Sequence, residues 1–440
     1  MKKVVFDFDL HNASVDFGEI KQIYERLKPK IKKVKDVLGT GYETDCASIN
    51  LPFDKNIVSE VNQLIAEKRK FDPAFLIVIG IGGSNLGTIA IHKAINGILY
   101  NDKNPALKVY FVDSVDTDYV NGILELVERK LKSGKNILVN VVTKSGTTTE
   151  TVANFEIFLG LLKKYKKEKY NDYIVAITDK GSKLWDFAKE NDISSLAVPK
   201  KVGGRYSVFS AVGLFPLGFI GLDIEGLQEG AKDSVDNCTS EDVSINYAAL
   251  SASIVYYHYT RSINIHDTFI FSKSVYSFGQ WYRQLVGESL GKKYNKKGEV
   301  VNVGITPTVS LGTTDLHSVA QLYLGGPYDK FTTFVTVKPK KDVYVPKIDA
   351  FEQFVENIQS KSVSFIMNSI IGGVREAYKK DKRPFVVVDI PEISAYSMGQ
   401  LLQWKMLEVM YLGYLLGVNP FDQPQVELYK KETREILAHE

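Results

Sequence analysis

A chain of 440 residues, at about 150 residues per domain, has room for two large domains or three smaller ones and for a cleft between them. Hydrophobic residues at 44% and charged residues at 24%, with 33 Gly and 14 Pro, exclude collagen-like, low-complexity and wholly disordered classes. Lys and Arg number 55 against 52 Asp and Glu, a formal +3, too even a mixture for a nucleic-acid or membrane-surface binder.

Cys46 and Cys238 lie far apart in the sequence, with neither a metal-ligand spacing nor a disulfide framework, which points to a reducing compartment. Asp7 and Asp9 interrupt the first apolar residues before a signal-peptide run can form. The uncharged stretch 206–222 contains Pro216 and falls short of the roughly 20 apolar residues of a membrane span. A soluble cytoplasmic protein is expected.

In chain order, the first 70 residues read as mostly helical, with apolar periodicity over 20–38 and 57–70. Short apolar runs follow at 74–80, 107–113, 136–142 and 173–178, separated by helical patterns over 86–100, 117–131 and 149–165. Runs of this kind alternating with helices predict βαβ units and a parallel sheet. After a stretch at 223–244 and a helix over 247–263, strand-like runs recur at 268–272, 299–304, 331–337 and 385–389. The fold class predicted is α/β: two tandem three-layer α/β/α sandwiches with parallel-rich sheets and helical N- and C-terminal arms. Residues 71–225 are assigned to the first, smaller sandwich, and 1–70 with 226–440 to the second.

Candidate chemistry lies at the ends of these strands. The run 74–80 empties into GIGGSNLG, a glycine-rich turn whose backbone amides, with the Ser84 hydroxyl and the helix dipole, can cradle an anion. Asn85 stands where a dinucleotide fingerprint needs glycine, and Thr88 where a Walker loop needs lysine. The run 136–142 ends in TKSGTTTE, in which Thr143, Ser145, Thr147, Thr148 and Thr149 crowd one sheet edge with Lys144; Thr147 and Glu150 form a potential capping box. Two such loops suggest a single phosphomonoester. Gly203 and Gly204 let the backbone approach a ligand, and Arg205 can hold an oxyanion. Gln284 and Glu288, four residues apart, share one helix face, and Glu288, if buried among its apolar neighbours, would suit a general base. His317 is read as opening another helix, capped by Thr314 or Asp315. Lys430 follows the NPFDQP turn in the terminal helix. No metal-ligand spacing is visible, so a metal-free mechanism is expected.

Taken in order, GIGGSNLG, TKSGTTTE, VGGRYS, QLVGESLGK, TTDLHS and NPFDQPxVELYK resemble the glucose-6-phosphate isomerase family in its shorter bacterial form, from about residue 70 to 430. The resemblance implies two sugar-isomerase-type sandwiches with the site in the cleft and at a dimer interface. It implies a phosphate pocket of Gly83, Ser84, Thr143, Lys144, Ser145 and Thr148, to which the loop chemistry adds Thr147 and Gly204. Glu288 then matches the base that moves a proton between C2 and C1, and Arg205 the group that stabilises the enediolate. His317, supplied by the neighbouring subunit, and Lys430 match the ring-opening pair, and Gln284 and Gln423 match contacts to phosphate or sugar hydroxyls. A homodimer without cofactor is implied, acting on glucose 6-phosphate and fructose 6-phosphate. Gln425 departs from the small residue usual after FDQ, Thr143 replaces the usual Ser, and Lys201 stands where an acid is common. Isomerisation of another sugar phosphate, or non-catalytic sugar-phosphate sensing, remains open; a sensor would not need Glu288, Arg205, His317 and Lys430 together.

Overall fold

In the computed structural model, which describes residues 4–439, the chain opens with a three-residue strand, β1 (Asp7–Asp9), and two helices, Phe17–Lys35 and Lys55–Arg69. Asp16 and Asp54 cap them, each side chain accepting a hydrogen bond from a backbone amide of the first turn. The first helix buries Ile20, Ile23, Tyr24, Leu27, Ile31 and Val34, an apolar stripe at helical spacing.

The first sheet follows. Strands β2 (Pro73–Ile79), β3 (Lys108–Val112), β4 (Asn136–Val142), β5 (Ile174–Thr178) and β6 (Ser194–Ala197) run parallel in the order β3-β2-β4-β5-β6. Helices Leu86–Asn96, Thr117–Lys132, Thr149–Lys166 and Lys183–Glu190 connect them. Strands β2, β4 and β5 are buried almost throughout, as a parallel sheet with helices on both faces requires, so each reads as an unbroken apolar run. The chain leaves β2 for β3 on one side and returns to β4 on the other. The gap between β2 and β4 is therefore the sheet's topological switch point, where open α/β sheets bind ligands.

The second sheet comprises β1, β7 (Ile265–Ile270), β10 (Thr306–Leu311), β11 (Lys330–Val337) and β12 (Phe385–Ile390). It runs β1-β12-β11-β7-β10, parallel except for β1, and β7 repeats the switch-point arrangement between β10 and β11. The run expected as a sheet strand at 299–304 is instead β9 (Val300–Val303), which pairs with β8 (Lys292–Tyr294) in a separate antiparallel ribbon. The sheet strand is the next segment, β10. At the sheet edge it buries only Ser310 fully, and Pro307 and three hydroxyl residues mask its strand character in the sequence.

The stretch at 223–244 carries the helix Ile224–Cys238, ten of whose residues are buried. That helix crosses the long buried helix Ala395–Leu415 at close range, because Gly230 and Gly399 lack side chains there. A Cβ on Gly230 would lie 2.0 Å from the Tyr396 carbonyl oxygen, and one on Gly399 2.1 Å from that of Leu227. Leu76 and Leu138 of the first sheet, Ile270 and Val335 of the second, and Trp404 of the long helix belong to one continuous buried apolar cluster. Among the described residues no helix is long and apolar enough to cross a membrane.

Candidate functional site

The glycine-rich turn after β2 is built by close approach to the segment carrying Arg205. A Cβ on Gly83 would lie 2.3 Å from the Gly204 carbonyl carbon and 2.4 Å from the Arg205 amide nitrogen, so only glycine fits. Gly82 sits at φ +58°, and a Cβ there would meet the Gln284 amide at 2.8 Å. The turn forms a short 3-10 segment, Gly82–Ser84, before the helix Leu86–Asn96 begins. Buried Asn85 holds it down by donating from Nδ2 to the Gly80 carbonyl at 2.6 Å.

Arg205 is buried at the entrance to the helix Ala211–Phe219, every residue of which is buried. Its guanidinium uses all five donors. Nε donates to Ser289 Oγ at 2.8 Å, and Nη1 to Gln423 Oε1 at 2.7 Å and Glu288 Oε2 at 3.3 Å. Nη2 donates to the carbonyls of Pro420 at 2.7 Å and Asp422 at 3.1 Å. A planar fork with five fixed donors suits this task where a lysine would not. Of the sequence alternatives for Arg205, the structure shows the salt bridge, an ion pair with Glu288 at 3.3 Å.

Glu288 lies in the last turn of the helix Tyr276–Leu290. Gln284, one turn earlier, donates from Nε2 to Glu288 Oε1 at 3.1 Å. The carboxylate is thus held from both sides. Its side chain is 34% exposed, so the condition on which a desolvated base was expected, full burial, is not met; an ion pair with Arg205 stands in its place. Behind it, buried Lys292 donates to the Glu288 carbonyl at 2.6 Å and the Asp422 carbonyl at 2.7 Å, with the Asp422 carboxylate 3.4 Å away. Burial, with the Arg205 charge nearby, pushes the Lys292 ammonium down to about 8 against the pull of Asp422.

The loop after β4 makes a second cluster. Thr143 Oγ1 and Thr148 Oγ1 are hydrogen-bonded at 3.0 Å, and Thr147 donates from its hydroxyl to Ser145 Oγ at 3.0 Å. The expected Thr147 and Glu150 capping box does not form. Thr148 occupies the N-cap position of Thr149–Lys166 and its hydroxyl is engaged with Thr143 instead of a backbone amide, which leaves the helix N-terminus turned toward the hydroxyl cluster. Burial lowers the Lys144 ammonium from its usual value, aided by Lys201 and Lys200 and opposed by Asp179. Burial also raises Asp179 to about 6, against Lys144 and Lys200. The roots of both loops touch, since a Cβ on Gly80 would lie 3.0 Å from the Val142 carbonyl oxygen.

Two expected residues stand apart. His317 ends a 3-10 turn, Thr314–His317, and does not open a helix; the next helix, Ala320–Gly325, starts after Val319. Asp315 caps nothing there. Its carboxylate accepts from the Leu311 amide at 2.7 Å and from Ser318 Oγ at 2.8 Å, tying the turn to the end of β10. The His317 side chain is exposed. Lys430 lies on the helix Val426–His439, which buries none of its residues, and pairs with Glu427 at 2.8 Å.

The model of the family described as phosphoglucose isomerase matches residues 73–440. The chain belongs to the phosphoglucose isomerase family. Among curated relatives, the glucose-6-phosphate isomerase of Carboxydothermus hydrogenoformans is 35% identical, over 98% of this chain and 91% of its own. That of Streptococcus agalactiae is also 35% identical, over 94% and 92% respectively. Among solved structures, a Thermus thermophilus protein described as hypothetical shares 29% identity at a TM-score of 0.84, covering 98% of this chain and all of that one. A glucose-6-phosphate isomerase of Chlamydia trachomatis, 21% identical, covers 99% of this chain and 88% of that one at a TM-score of 0.82 and so shares the fold.

Within this phosphoglucose isomerase family chain, the sequence reading missed Ser289, Tyr206, Lys292, Asp179 and the carbonyls of Pro420 and Asp422. Tyr206 hydroxyl lies 3.1 Å from Ser289 Oγ and 3.3 Å from the Pro420 carbonyl, completing the wall around Arg205. Lys292 follows Gly291 in the QLVGESLGK motif and so was within reach; the others contribute through tertiary contacts that no spacing encodes.

Proposed function

We propose that this chain interconverts glucose 6-phosphate and fructose 6-phosphate by proton transfer through a cis-enediol, in glycolysis and gluconeogenesis. The observation that carries the reading is the Glu288 carboxylate held between Gln284 and Arg205, with Gly82 and Gly83 of the glycine-rich turn packed against those two residues.

The phosphate is placed in the β2–β4 crevice by the amides of Gly83 and Gly204 and the side chains of Ser84, Thr143, Lys144, Ser145, Thr147 and Thr148. Gln284 and Gln423 orient the sugar. Anchoring one end fixes the reacting carbons against the base, which converts binding into effective concentration. Lys430 and the partner's histidine at position 317 open the ring: the proton leaves the anomeric hydroxyl, C1–O5 breaks, and the ring oxygen is protonated. Glu288 then takes the C2 proton, and the electron pair forms the C1–C2 double bond as negative charge moves to O1. Glu288 returns the proton to C1, the O2 proton passes to O1, and C2 becomes the ketone carbonyl. Because all five Arg205 donors already have acceptors, Arg205 acts first as a fixed positive charge. The donor now shared with Glu288 becomes free for the enediolate when Glu288 is protonated.

The chain acts as a homodimer in the cytoplasm, with residues 71–225 as one sandwich and the remainder as the other. The dimer is supported by exposed His317 and by exposed apolar side chains within residues 343–354, among them Val343 and Phe354. Cytoplasmic location is supported by Cys46 and Cys238 being unpaired thiols. The reading is tested by supplying fructose 6-phosphate and reporting glucose 6-phosphate with a coupled dehydrogenase. Product is expected at an enzymatic rate, with and without chelator; no product would overturn the assignment.

A further inference from the structure

Lys292 also lines a cavity of about 780 Å³, open to solvent, whose lining includes none of the residues of the proposed reaction. Its volume falls in the range of small-molecule sites. Its lining includes Tyr294, Tyr414 and Phe421 together with Lys33, Lys292 and Lys296. The Lys296 ammonium sits 4.6 Å from the Tyr414 ring centroid, and Lys30 approaches the same ring at 5.9 Å. Burial, then the charges of Lys30 and Lys33, lower the Lys296 ammonium from its usual value against the pull of Asp422 and Asp45. Glu43, Asp45 and Asp422 also line the cavity, but among the described residues neither Lys33 nor Lys296 has a carboxylate within ion-pair distance, whereas Asp45 and Asp422 are engaged by Lys201 and Lys292. Lys292 and Lys201 differ: each faces a carboxylate, Asp422 at 3.4 Å and Asp45 at 3.6 Å. Asn295 and Asn419 add amide groups suited to hydroxyls.

We propose that this cavity binds a small organic phosphate carrying at least two negative charges, and that its occupancy lowers turnover through the Lys292 clasp. The phosphate sits between Lys33 and Lys296, and the body of the ligand lies over Tyr414 toward the two asparagines. Coupling runs through one side chain. Lys292 joins the cavity wall to the Glu288 carbonyl and the Asp422 carbonyl, and that same Asp422 carbonyl, with Pro420 and Gln423, holds Arg205. An anion in the cavity competes with Asp422 for the Lys292 ammonium and shifts the turn that positions Arg205 against the base.

Inorganic pyrophosphate is the probe, titrated calorimetrically into the full chain with and without saturating fructose 6-phosphate. With fructose 6-phosphate present, one pyrophosphate per chain is expected still to bind. The K33Q/K296Q double variant should weaken that event at least about tenfold while leaving kcat and KM unchanged, and K33R/K296R should retain it. Pyrophosphate should also lower kcat in a way that more fructose 6-phosphate does not relieve, and this inhibition should be lost in K33Q/K296Q. Complete displacement by fructose 6-phosphate, or parental affinity in K33Q/K296Q, would overturn the proposal. The comparison of the variants by binding alone stands whether or not the chain isomerises sugar phosphates.

Discussion

All five guanidinium donors of Arg205 have acceptors within the chain, and Glu288 is pinned between that guanidinium and Gln284, whereas His317 and Lys430 stand on the surface with no bond to either. The two groups differ in what their chemistry demands. A charge that stabilises an enediolate acts best when its dipoles are fixed before the substrate arrives, and burial strengthens it. Ring opening is an acid–base event with an appreciable uncatalysed rate in water, so the groups that assist it tolerate looser placement until substrate or a second subunit completes the site. Breaking one member of each group should separate them by magnitude.

The largest effect belongs to Glu288→Gln, which is nearly isosteric, gives up one of the two hydrogen bonds that the carboxylate accepts from Gln284 and Arg205, and removes the proton acceptor. We expect kcat to fall by about 10²- to 10⁴-fold with fructose 6-phosphate binding nearly unchanged in calorimetry. Substantial residual turnover would remove Glu288 from the role of base.

Arg205→Lys comes next. A lysine keeps the charge but cannot reach Ser289, Gln423, Glu288 and two carbonyls together, so buried acceptors lose partners and the charge loses its position. A fall in kcat of about 10²-fold is expected, accompanied by a lower melting temperature. A normal kcat with only lost stability would reduce Arg205 to a structural residue.

His317→Ala should cost less, about 10- to 100-fold, because the open-chain sugar also forms without the enzyme. The sharper measurement mixes this variant with Glu288→Gln after reversible dissociation. If the histidine serves the neighbouring chain, each heterodimer regains one intact site, and random pairing restores about a quarter of wild-type activity from two impaired proteins. No gain on mixing would place His317 in its own chain's site or outside any site.

The same contrast governs what could be read before the structure. Strand β4 was placed to the residue, and β2 within one, since strands buried on both faces leave continuous apolar runs. β10 was not, because an edge strand with Pro307, Thr308 and Ser310 looks like a turn, while the exposed ribbon strand β9 looks like a core one. At the site, Gln284 and Glu288 were legible because helical spacing alone puts them together. The Arg205 donors were not, since three of the five end on Pro420, Asp422 and Gln423, more than 200 residues away. Lys292 is not legible because lysine is ordinarily solvated, and only the fold shows it buried against the Glu288 carbonyl. Among three adjacent threonines, the choice of Thr148 as cap position follows from its bond to Thr143, which belongs to tertiary structure.

The smallest expected effect lies at Asp179, beside the Lys144 loop, and it separates that loop from the Arg205 cluster by pH. Asp179 is raised to about 6 from 3.8, first by burial, with Lys144 and Lys200 only partly compensating. A carboxyl whose folded value lies above its unfolded one favours the protonated folded state. Its contribution is therefore intact below about 3.8 and is lost as pH rises through about 6, where the folded chain must carry a half-buried charge. Asp179→Asn removes that charge. It should raise the melting temperature at pH 8, with the gain shrinking toward zero as pH falls from 6 to 4; solvent screening at this half-buried position keeps the gain under about 1 kcal/mol. Gln423→Ala removes an uncharged acceptor from Arg205, so it should instead show a change in melting temperature that is flat across the same range. Equal gains for Asp179→Asn at pH 5 and pH 8 would mean that removed bulk, rather than removed charge, explains the effect, and the loop would then lose its claim to an electrostatic cost that a bound phosphate and Lys144 must overcome.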